Sequence, residues 1–442
     1  MLINLETNYK QQLLEKINTK TAKIGVIGMG YVGLPLAIEF AKKDFQVLGF
    51  DVDANKVATL NDGKSHILDV PTAEVAIAKA KKCFEASSDF AALNEVDIIS
   101  ICVPTPLTAS HEPDMSYVKA AVASITQHMK RGTLIVLEST TYPGTTRELI
   151  ADELEKAGDK VGTEVFVCFS PERIDPGNTE FDSRDVPKVV GGITSDCVML
   201  GRAYYSQVFK EVVPVSTTEV AEMTKLLENT FRSVNIAFIN EMAVLCEKLG
   251  IDLWEVIGAA KTKPFGFMPF YPGPGVGGHC IPLDPMYLYW KGKEKNHFSR
   301  FIELAQQINT AMPTHVTQIV SNALNKKQKS ISGARLLMVG VAYKSDIDDV
   351  RESPALEVYE ELKQLGANIE VYDPFVASFR DAKNNKIQTN SKLTNNHDAI
   401  VIMTKHSNID YTAILENNDC IIDTRNIWNE KYEHVHKIGS MY

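Results

Sequence analysis

The first strong pattern in the chain lies between residues 23 and 53. "KIGVIGMG" (23–30) is a β-branched apolar run that stops in glycines. "YVGLPLAIEFAKKD" follows with apolar positions at helical spacing, and "QVLGFDVD" returns to a strand pattern. That order is a β-α-β unit. Further strands are predicted at "VDIISICVP" (96–104), "TLIVLES" (133–139), "EVFVCFSP" (164–171) and "PKVVGG" (187–192), with helical patterns between several of them. Strands alternating with helices predict a mainly parallel, doubly wound sheet.

At Thr217 the texture changes. No Gly or Pro interrupts the helical periodicity until Gly250, so one long helix is predicted, capped by Thr217 or Thr218. A Pro/Gly-rich segment follows, and helical patterns then resume through residue 327. The opening plan returns at "ARLLMVGVAYK" (334–344), "SPALEVYEELKQLG" (353–366) and "ANIEVYDP" (367–374), with later strands in "HDAIVIMTKH" and "NDCIIDTRN". This is a weak internal repeat. Its turn, "GVAYK", lacks G-x-G-x-x-G and carries a lysine, which points to a different phosphorylated ligand. The expected fold class is α/β: two Rossmann-like doubly wound domains joined by a long central helix. The expected boundaries are 1–212, 213–315 and 316–442.

Composition narrows the class. The 442 residues are 44% hydrophobic and 23% charged, as in a soluble protein with full-sized cores. A formal net charge of −10 argues against a general nucleic-acid or anionic-membrane binder, so neither is an expected partner. No apolar run is long enough to span a bilayer. "MLINLETNYKQQLLEKINTK" lacks the apolar core of a secretory signal and reads as a short amphipathic helix. The seven cysteines are widely spaced with no C-x-x-C, so reduced thiols and a cytoplasmic location are expected, without a disulfide framework or structural zinc. Cys102 and Cys168 read as buried strand residues.

Gly28-Met29-Gly30-Tyr31-Val32-Gly33 is G-x-G-x-x-G after a strand, and Asp51 ends the next strand, 23 residues beyond Gly28. Glycines there allow a tight turn and close approach of a pyrophosphate to a helix N-terminus, and the acid binds ribose hydroxyls. Asp51 favours NAD over NADP, while Lys56 nearby weighs the other way. "VPTP" and "ESTTYPGTT" follow predicted strands, so Thr105, Thr140 and Thr141 face a ligand or, equally, cap the next helices. "SPERIDPG" places Glu172, Arg173 and Asp175 after another strand. Glu172 reads as a general base or as part of a charged turn. Lys225 and Asn229 share a helix face at i, i+4, as an oxyanion pair or as a solvated face.

In "GPGVGGHCIPLDP", Cys280 sits beside His279 with Asp284 four residues on. A metal site lacks ligands at the right spacing, and a structural thiol would not need so much glycine and proline. A nucleophile fits: a thiolate adds to an aldehyde, and the adduct can be oxidised to a thioester. The glycines would let the loop approach a ligand.

With these blocks in the same order over residues 22–428, the chain resembles the nucleotide-sugar 6-dehydrogenases, the UDP-glucose/UDP-N-acetylhexosamine family. The resemblance rests on "GVIGMGYVGLPLA", "VPTP", "EST", "SPER", "AEMTKLLENTFR", "GGHCIPLDP" and "AYKSDIDDVRESP". It implies NAD at Gly28, Gly30, Tyr31, Val32, Asp51, Lys56, Thr105 and Thr140, with Arg351 joining from the C-terminal region. It makes Cys280 the nucleophile, Lys225 and Asn229 the oxyanion pair, Thr140 and Asp284 the holders of a water, and Glu172 the base. Glu172, Arg173, Lys225, Asn229, Tyr271, Gly277, Tyr343, Lys344 and Arg425 match positions that hold the UDP-sugar. "ERIDPG" departs from the "EFLxEG" of some relatives, which leaves Asp175 without a role. The resemblance also implies an NAD-binding first domain, a homodimer built on the long helix and a UDP-sugar-binding last domain.

His279 before the cysteine marks the N-acetylhexosamine branch. The run "TKPFGFMPFYPGPGVGGHCIPLDP" is most similar to UDP-N-acetylglucosamine 6-dehydrogenases of bacterial surface-polysaccharide pathways. Its rivals are UDP-N-acetylmannosamine or UDP-N-acetylgalactosamine as substrate, a non-catalytic NAD-binding sensor, and a two-electron hydroxyacid dehydrogenase.

Overall fold

The computed structural model describes residues 8–67, 69–108, 112–173, 183–278, 280–394 and 396–440. They form two compact units that divide between Glu228 and Asn229.

The first unit holds β1 (Lys23–Ile27), β2 (Gln46–Phe50), β3 (Phe84–Ser87), β4 (Ile98–Ile101), β5 (Leu134–Leu137), β6 (Phe166–Phe169), β7 (Lys188–Gly192) and β8 (Val212–Val215). Among the described residues these make one sheet, ordered β3-β2-β1-β4-β5-β6-β7-β8. Neighbours run parallel except β6 and β7, which pair antiparallel with Phe169 opposite Gly191. Around it lie α1 (Tyr9–Asn18), α2 (Gly33–Lys42), α3 (Ala54–Asn61), α4 (Thr72–Ala80), α5 (Ser116–His128), α6 (Asp152–Lys156) and α7 (Ser195–Tyr205).

Every residue of β4, β5 and β6 is buried, as expected of central strands covered on both faces. Ile98, Leu134, Val136 and Phe166 share one core with Phe40 and Tyr204. Their neighbours Ile99, Ile135, Leu137 and Val167 share the other with Val118, Val122 and Ile125. The sequence reading missed β3 and β8. Both are four-residue strands at the sheet's edges, and β8 contains Pro214, which an edge tolerates. The amphipathic N-terminal helix is α1; Leu13 and Ile17 are its buried residues.

Helix α8 (Thr218–Leu249) runs across the division between the units. Thr217 caps it, its hydroxyl accepting the Val220 N–H at 3.3 Å, and Gly250 ends it at φ +70°. The second unit continues with α9 (Leu253–Ala260), α10 (Asp284–Glu294), α11 (Arg300–Lys326), α12 (Pro354–Gln364) and α13 (Tyr411–Asn417). Its strands are β9 (Arg335–Val339), β10 (Asn368–Tyr372), β11 (Ser378–Arg380), β12 (Lys386–Gln388), β13 (Ala399–Ile402), β14 (Ile421–Asp423) and β15 (Val435–Lys437). β10-β9-β13-β14-β15 is a parallel sheet, and β11 and β12 form a separate antiparallel ribbon. The α/β class with two doubly wound sheets and a long helix is therefore as expected. Among the described residues, no helix is long and apolar enough to cross a membrane, and no group of His, Cys, Asp and Glu could hold a metal ion.

Asp97, just before β4, ties α1 to the sheet. Its carboxylate lies 2.8 Å from Lys16 Nζ and 2.9 Å from Lys130 Nζ, and accepts the Lys23 N–H at 3.0 Å. Burial pushes this carboxyl up, but the two ammoniums and the N–H outweigh it and hold it below its ordinary value. Both lysines reach solvent, so the attraction is screened. Asp97→Ala should cost about 1–3 kcal/mol at pH 7. A lowered folded-state value means the stabilisation is present above the ordinary carboxylate pKa and is lost as pH falls through the folded one. Urea titrations should therefore show the wild-type advantage shrinking below pH 4.

Candidate active site

The ends of the parallel strands bring the predicted residues of the first unit to one edge of the sheet. Gly28 follows β1 at φ +95°, and a Cβ there would lie 2.5 Å from the Cys102 carbonyl oxygen. At Gly33 a Cβ would lie 1.8 Å from the Gly28 carbonyl oxygen, whereas Gly30 has nothing within 4 Å of the same position. The outer two glycines are thus required by close packing, and the middle one borders open space. Asp51, buried at the end of β2, accepts the Met29 N–H at 3.0 Å and lies 3.7 Å from Lys56 Nζ. Tyr31 is exposed and Val32 packs on the core.

Thr105 follows β4 and is buried; Thr140 and Thr141 follow β5. Thr141 is buried with no hydrogen-bond partner for its hydroxyl. Ser139 Oγ donates to the Val103 carbonyl oxygen at 2.7 Å and so binds these two loops together. Glu172 follows β6. Its Oε1 accepts the Arg173 N–H at 2.7 Å and its Oε2 lies 3.2 Å from Lys188 Nζ. Arg173 pairs with Glu228 at 2.7 Å and donates to the Pro187 carbonyl oxygen at 2.7 Å. Lys225 Nζ donates to the Glu172 carbonyl oxygen at 2.5 Å.

Lys225 and Asn229 are 7% and 6% exposed, so the solvated-face reading of this part of α8 fails. In the second unit, Asn229 Nδ2 donates to Asp284 Oδ2 at 2.5 Å. Asp284 begins α10 and is buried; its N–H bonds the Cys280 carbonyl oxygen at 2.8 Å. Asn229, Asp284 and the half-buried Cys280 are thereby held together.

The glycines before Cys280 face protein. A Cβ at Gly277 would lie 2.7 Å from both Tyr343 Cβ and the Glu352 carbonyl oxygen, and one at Gly278 would lie 2.7 Å from Tyr343 Cε2. The Gly278 N–H donates to the Arg351 carbonyl oxygen at 3.1 Å. The loop is therefore pressed onto the segment that carries Tyr343 and Lys344. Tyr271 is exposed and stacks on Trp254 with ring centroids 6.0 Å apart. Arg425 Nε donates to the Met403 carbonyl oxygen at 2.6 Å, and the Arg351 guanidinium lies on the Asp349 carboxylate at 2.7 Å. Asp175 and His279 lie outside the described residues.

The sequence reading missed several braces. Glu222 lies one turn before Lys225 on α8. It accepts the Gly144 N–H at 2.6 Å and the Thr146 N–H at 2.8 Å, which fixes the loop bearing Thr140. Burial pushes its carboxyl up to about 7, with those hydrogen bonds pulling the other way. Asn240 accepts the Gly273 N–H at 3.0 Å and bonds Asn309, anchoring the glycine-rich loop. Glu222 carries a periodicity signal; Asn240 and Asn309 are 69 residues apart and carry none.

Residues 22–213, 219–311 and 337–430 match the NAD binding, central and UDP binding domains of the UDP-glucose/GDP-mannose dehydrogenase family. The chain belongs to that family. It is an NAD-dependent dehydrogenase. It is 36% identical over 363 residues to a UDP-N-acetyl-D-glucosamine 6-dehydrogenase of Pseudomonas aeruginosa, covering 81% of this chain and 84% of the relative. It is 34% identical to a UDP-N-acetyl-D-mannosamine dehydrogenase of Pyrococcus horikoshii, covering 92% and 96%. A solved structure of the UDP-D-ManNAc dehydrogenase from P. horikoshii superposes with a TM-score of 0.87 at 33% identity, covering 95% of this chain and 99% of that one.

The first unit fits NAD. Gly30 leaves room at the turn where a dinucleotide's pyrophosphate approaches the backbone, and Asp51 supplies a carboxylate at the end of the second strand. The two glycines predict opposite failures. Gly30→Ala should fold normally and weaken NAD binding roughly tenfold or more, about 1.4 kcal/mol. Gly33→Ala should lose about 1–3 kcal/mol of stability by overpacking. Calorimetric NAD titration and urea denaturation of both variants distinguish the two.

Proposed function

We propose that this enzyme oxidises C6 of UDP-N-acetylglucosamine to the carboxylate, a four-electron oxidation that yields UDP-N-acetylglucosaminuronic acid for surface-polysaccharide synthesis in the cytoplasm. The observation that carries the reading is Cys280, half-buried in a loop whose glycines let it pack tightly on Tyr343, and joined to the buried Asn229–Asp284 pair. A two-electron dehydrogenase or a binding module has no need of a presented thiol. The P. aeruginosa relative's name supports this sugar; the P. horikoshii relative's name supports UDP-N-acetylmannosamine as a second reading.

Gly28, Gly30, Tyr31, Val32, Asp51, Lys56, Thr105 and Thr140 would hold NAD, with Arg351 added by resemblance, and bound NAD would act as the two-electron acceptor, two equivalents per sugar. Tyr271, Gly277, Tyr343, Lys344, Arg425 and Arg173 bind the nucleotide sugar. A first two-electron oxidation takes the C6 alcohol to the aldehyde; the Cys280 sulfur then bonds to its C6 and the carbonyl oxygen takes a proton, giving a thiohemiacetal. Lys225 and Asn229 steady that oxygen as charge develops on it. Oxidation of this adduct leaves a thioester on Cys280. Thr140 and Asp284 hold a water, and Glu172 takes its proton as the oxygen attacks C6. The C–S bond then breaks, the acid leaves, and Cys280 departs as thiolate. The residues fall into an NAD-binding part (1–212), a central part carrying Cys280 (213–315) and a UDP-sugar part (316–442).

Val220, Leu227, Phe231, Phe238, Leu245 and Leu249 are exposed on α8 at intervals of seven and four residues, which is one apolar stripe on one helix face. That stripe supports a homodimer built on α8. A Leu227→Asp/Phe238→Asp variant should run as a monomer in light scattering at micromolar concentration, where the wild type runs as a dimer; a monomeric wild type refutes the dimer.

The mechanism is checked by NADH absorbance with UDP-N-acetylglucosamine, UDP-N-acetylmannosamine and UDP-N-acetylgalactosamine in turn. Two NADH per UDP-N-acetylglucosamine are expected. Cys280→Ser should keep the fold and lose steady-state uronic acid production by at least ~1,000-fold. Near-wild-type acid production by that variant removes Cys280 from the mechanism.

A further inference from the structure

Lys188 is a buried lysine that the mechanism above does not use. It opens β7 in "VPKVVGG", the one charge in an otherwise apolar run, and its side chain is 3% exposed. Buried lysines are rare unless paired. Lys188 Nζ lies 2.8 Å from Glu138 Oε2 and 3.2 Å from Glu172 Oε2. It also stands 5.2 and 5.3 Å from the ring centroids of Tyr205 and Phe209. Tyr205 Oη donates to Glu138 Oε1 at 2.6 Å, so Glu138 is fixed from both sides. Burial works against the ammonium's charge, but the two carboxylates outweigh it and hold its pKa well above the usual lysine value.

We propose that Lys188 is a positioning residue: anchored on Glu138, it fixes the Glu172 carboxylate that draws the proton from the hydrolytic water. The inference rests on the reading of Glu172 given above. Three observations carry it. First, Glu138 is fully buried and Lys188 nearly so, while the Glu172 side chain is 14% exposed, so Glu172 is the member of the cluster that reaches outward. Second, the rest of the Glu172 segment is clamped at the backbone: Lys225 holds its carbonyl oxygen, and Arg173 holds Pro187, the residue before Lys188. Third, both carboxylate oxygens of Glu172 are held: Oε1 accepts the Arg173 N–H at 2.7 Å and Oε2 receives Lys188 Nζ at 3.2 Å. A general base with several rotors gains by having them stopped, and misplacement by about 1 Å can cost about 100-fold.

The test must separate positioning from simple neutralisation of Glu138. Lys188→Met alone leaves Glu138 buried without its cation, so Glu138→Gln/Lys188→Met, which removes both charges, is made beside it. Lys188→Arg is the conservative variant and Glu172→Gln the reference. Each is mixed with NAD and either UDP-N-acetylglucosamine or UDP-N-acetylmannosamine, whichever the wild type oxidises. Steady-state kcat and KM are measured, with intact-mass analysis for a sugar acyl group on Cys280. The double variant should fold, keep its KM, lose kcat by about 10–100-fold, and accumulate the acyl adduct as Glu172→Gln does; Lys188→Arg should recover most of the rate. Wild-type kcat without adduct in the double variant, beside a slow, adduct-bearing Glu172→Gln, overturns the role of Lys188 alone. So does a slow double variant without adduct, or failure of both Lys188→Met forms to fold, either of which makes Lys188 structural. Wild-type turnover by Glu172→Gln overturns the reading of Glu172 and the role of Lys188 with it.

Discussion

One reversal of strand direction organises the first unit's site. Parallel strands β1, β4, β5 and β6 all end at the same edge of the sheet, which delivers Gly28, Thr105, Thr140 and Glu172 there from widely separated parts of the chain. A parallel β7 would put its first residue at the opposite edge. Because β7 pairs antiparallel with β6, Phe169 faces Gly191 and the start of β7 lies alongside the residues that follow β6. Ser170 Oγ donates to the Val189 carbonyl oxygen at 2.7 Å, continuing that register. Lys188 thus meets Glu172 through backbone pairing, before any attraction between the charges is counted.

The second unit repeats the plan of the first but uses the end of its second strand differently. Asp51 accepts one N–H on each oxygen, from Met29 at 3.0 Å and Asp53 at 2.9 Å, and lies 3.7 Å from Lys56 Nζ. Asp373, in the equivalent place after β10, accepts the N–H groups of Val341, Ala342, Phe375 and Val376, and bonds His406 at 3.2 Å. His406 in turn accepts the Asp346 N–H at 3.0 Å. This carboxylate is taken up in bracing residues 341–346, which present Tyr343 and Lys344. The internal repeat is therefore a repeat of fold, and the match of residues 337–430 to a UDP binding domain agrees with the changed turn.

Much of this was legible because it is written locally. G-x-G-x-x-G, the acid after the second strand, the continuous apolar strands and the glycine-flanked cysteine are short patterns with strong backbone consequences. The long helix was legible by its caps, Thr217 and Gly250. Edge strands β3 and β8 were not, since half-exposed four-residue strands carry little pattern. Nor was the Lys188 cluster: its partners lie 50 and 16 residues away, and in the sequence the lysine reads as the edge of a strand. The glycines of the cysteine loop were recognised as backbone devices, but the neighbour they accommodate, Tyr343, lies 65 residues on from Gly278 and belongs to another predicted element.

The cost of these buried charges sharpens the contrast between the two kinds of core in the first unit. Apolar residues fill both faces of β4, β5 and β6, and a buried ion pair is commonly no more stabilising there than well-packed apolar side chains of the same volume. Glu138 and Lys188 sit at the rim of that apolar core, where Tyr205 and Phe209 leave the ammonium enclosed by rings and carboxylates. An apolar pair at these positions would fill the same space and remove the Lys188 contact from the Glu172 carboxylate. What the charged pair adds is direction: it constrains where one carboxylate oxygen points. That is a contribution to geometry more than to stability, and it falls at the edge of the sheet where the loops of four strands already meet.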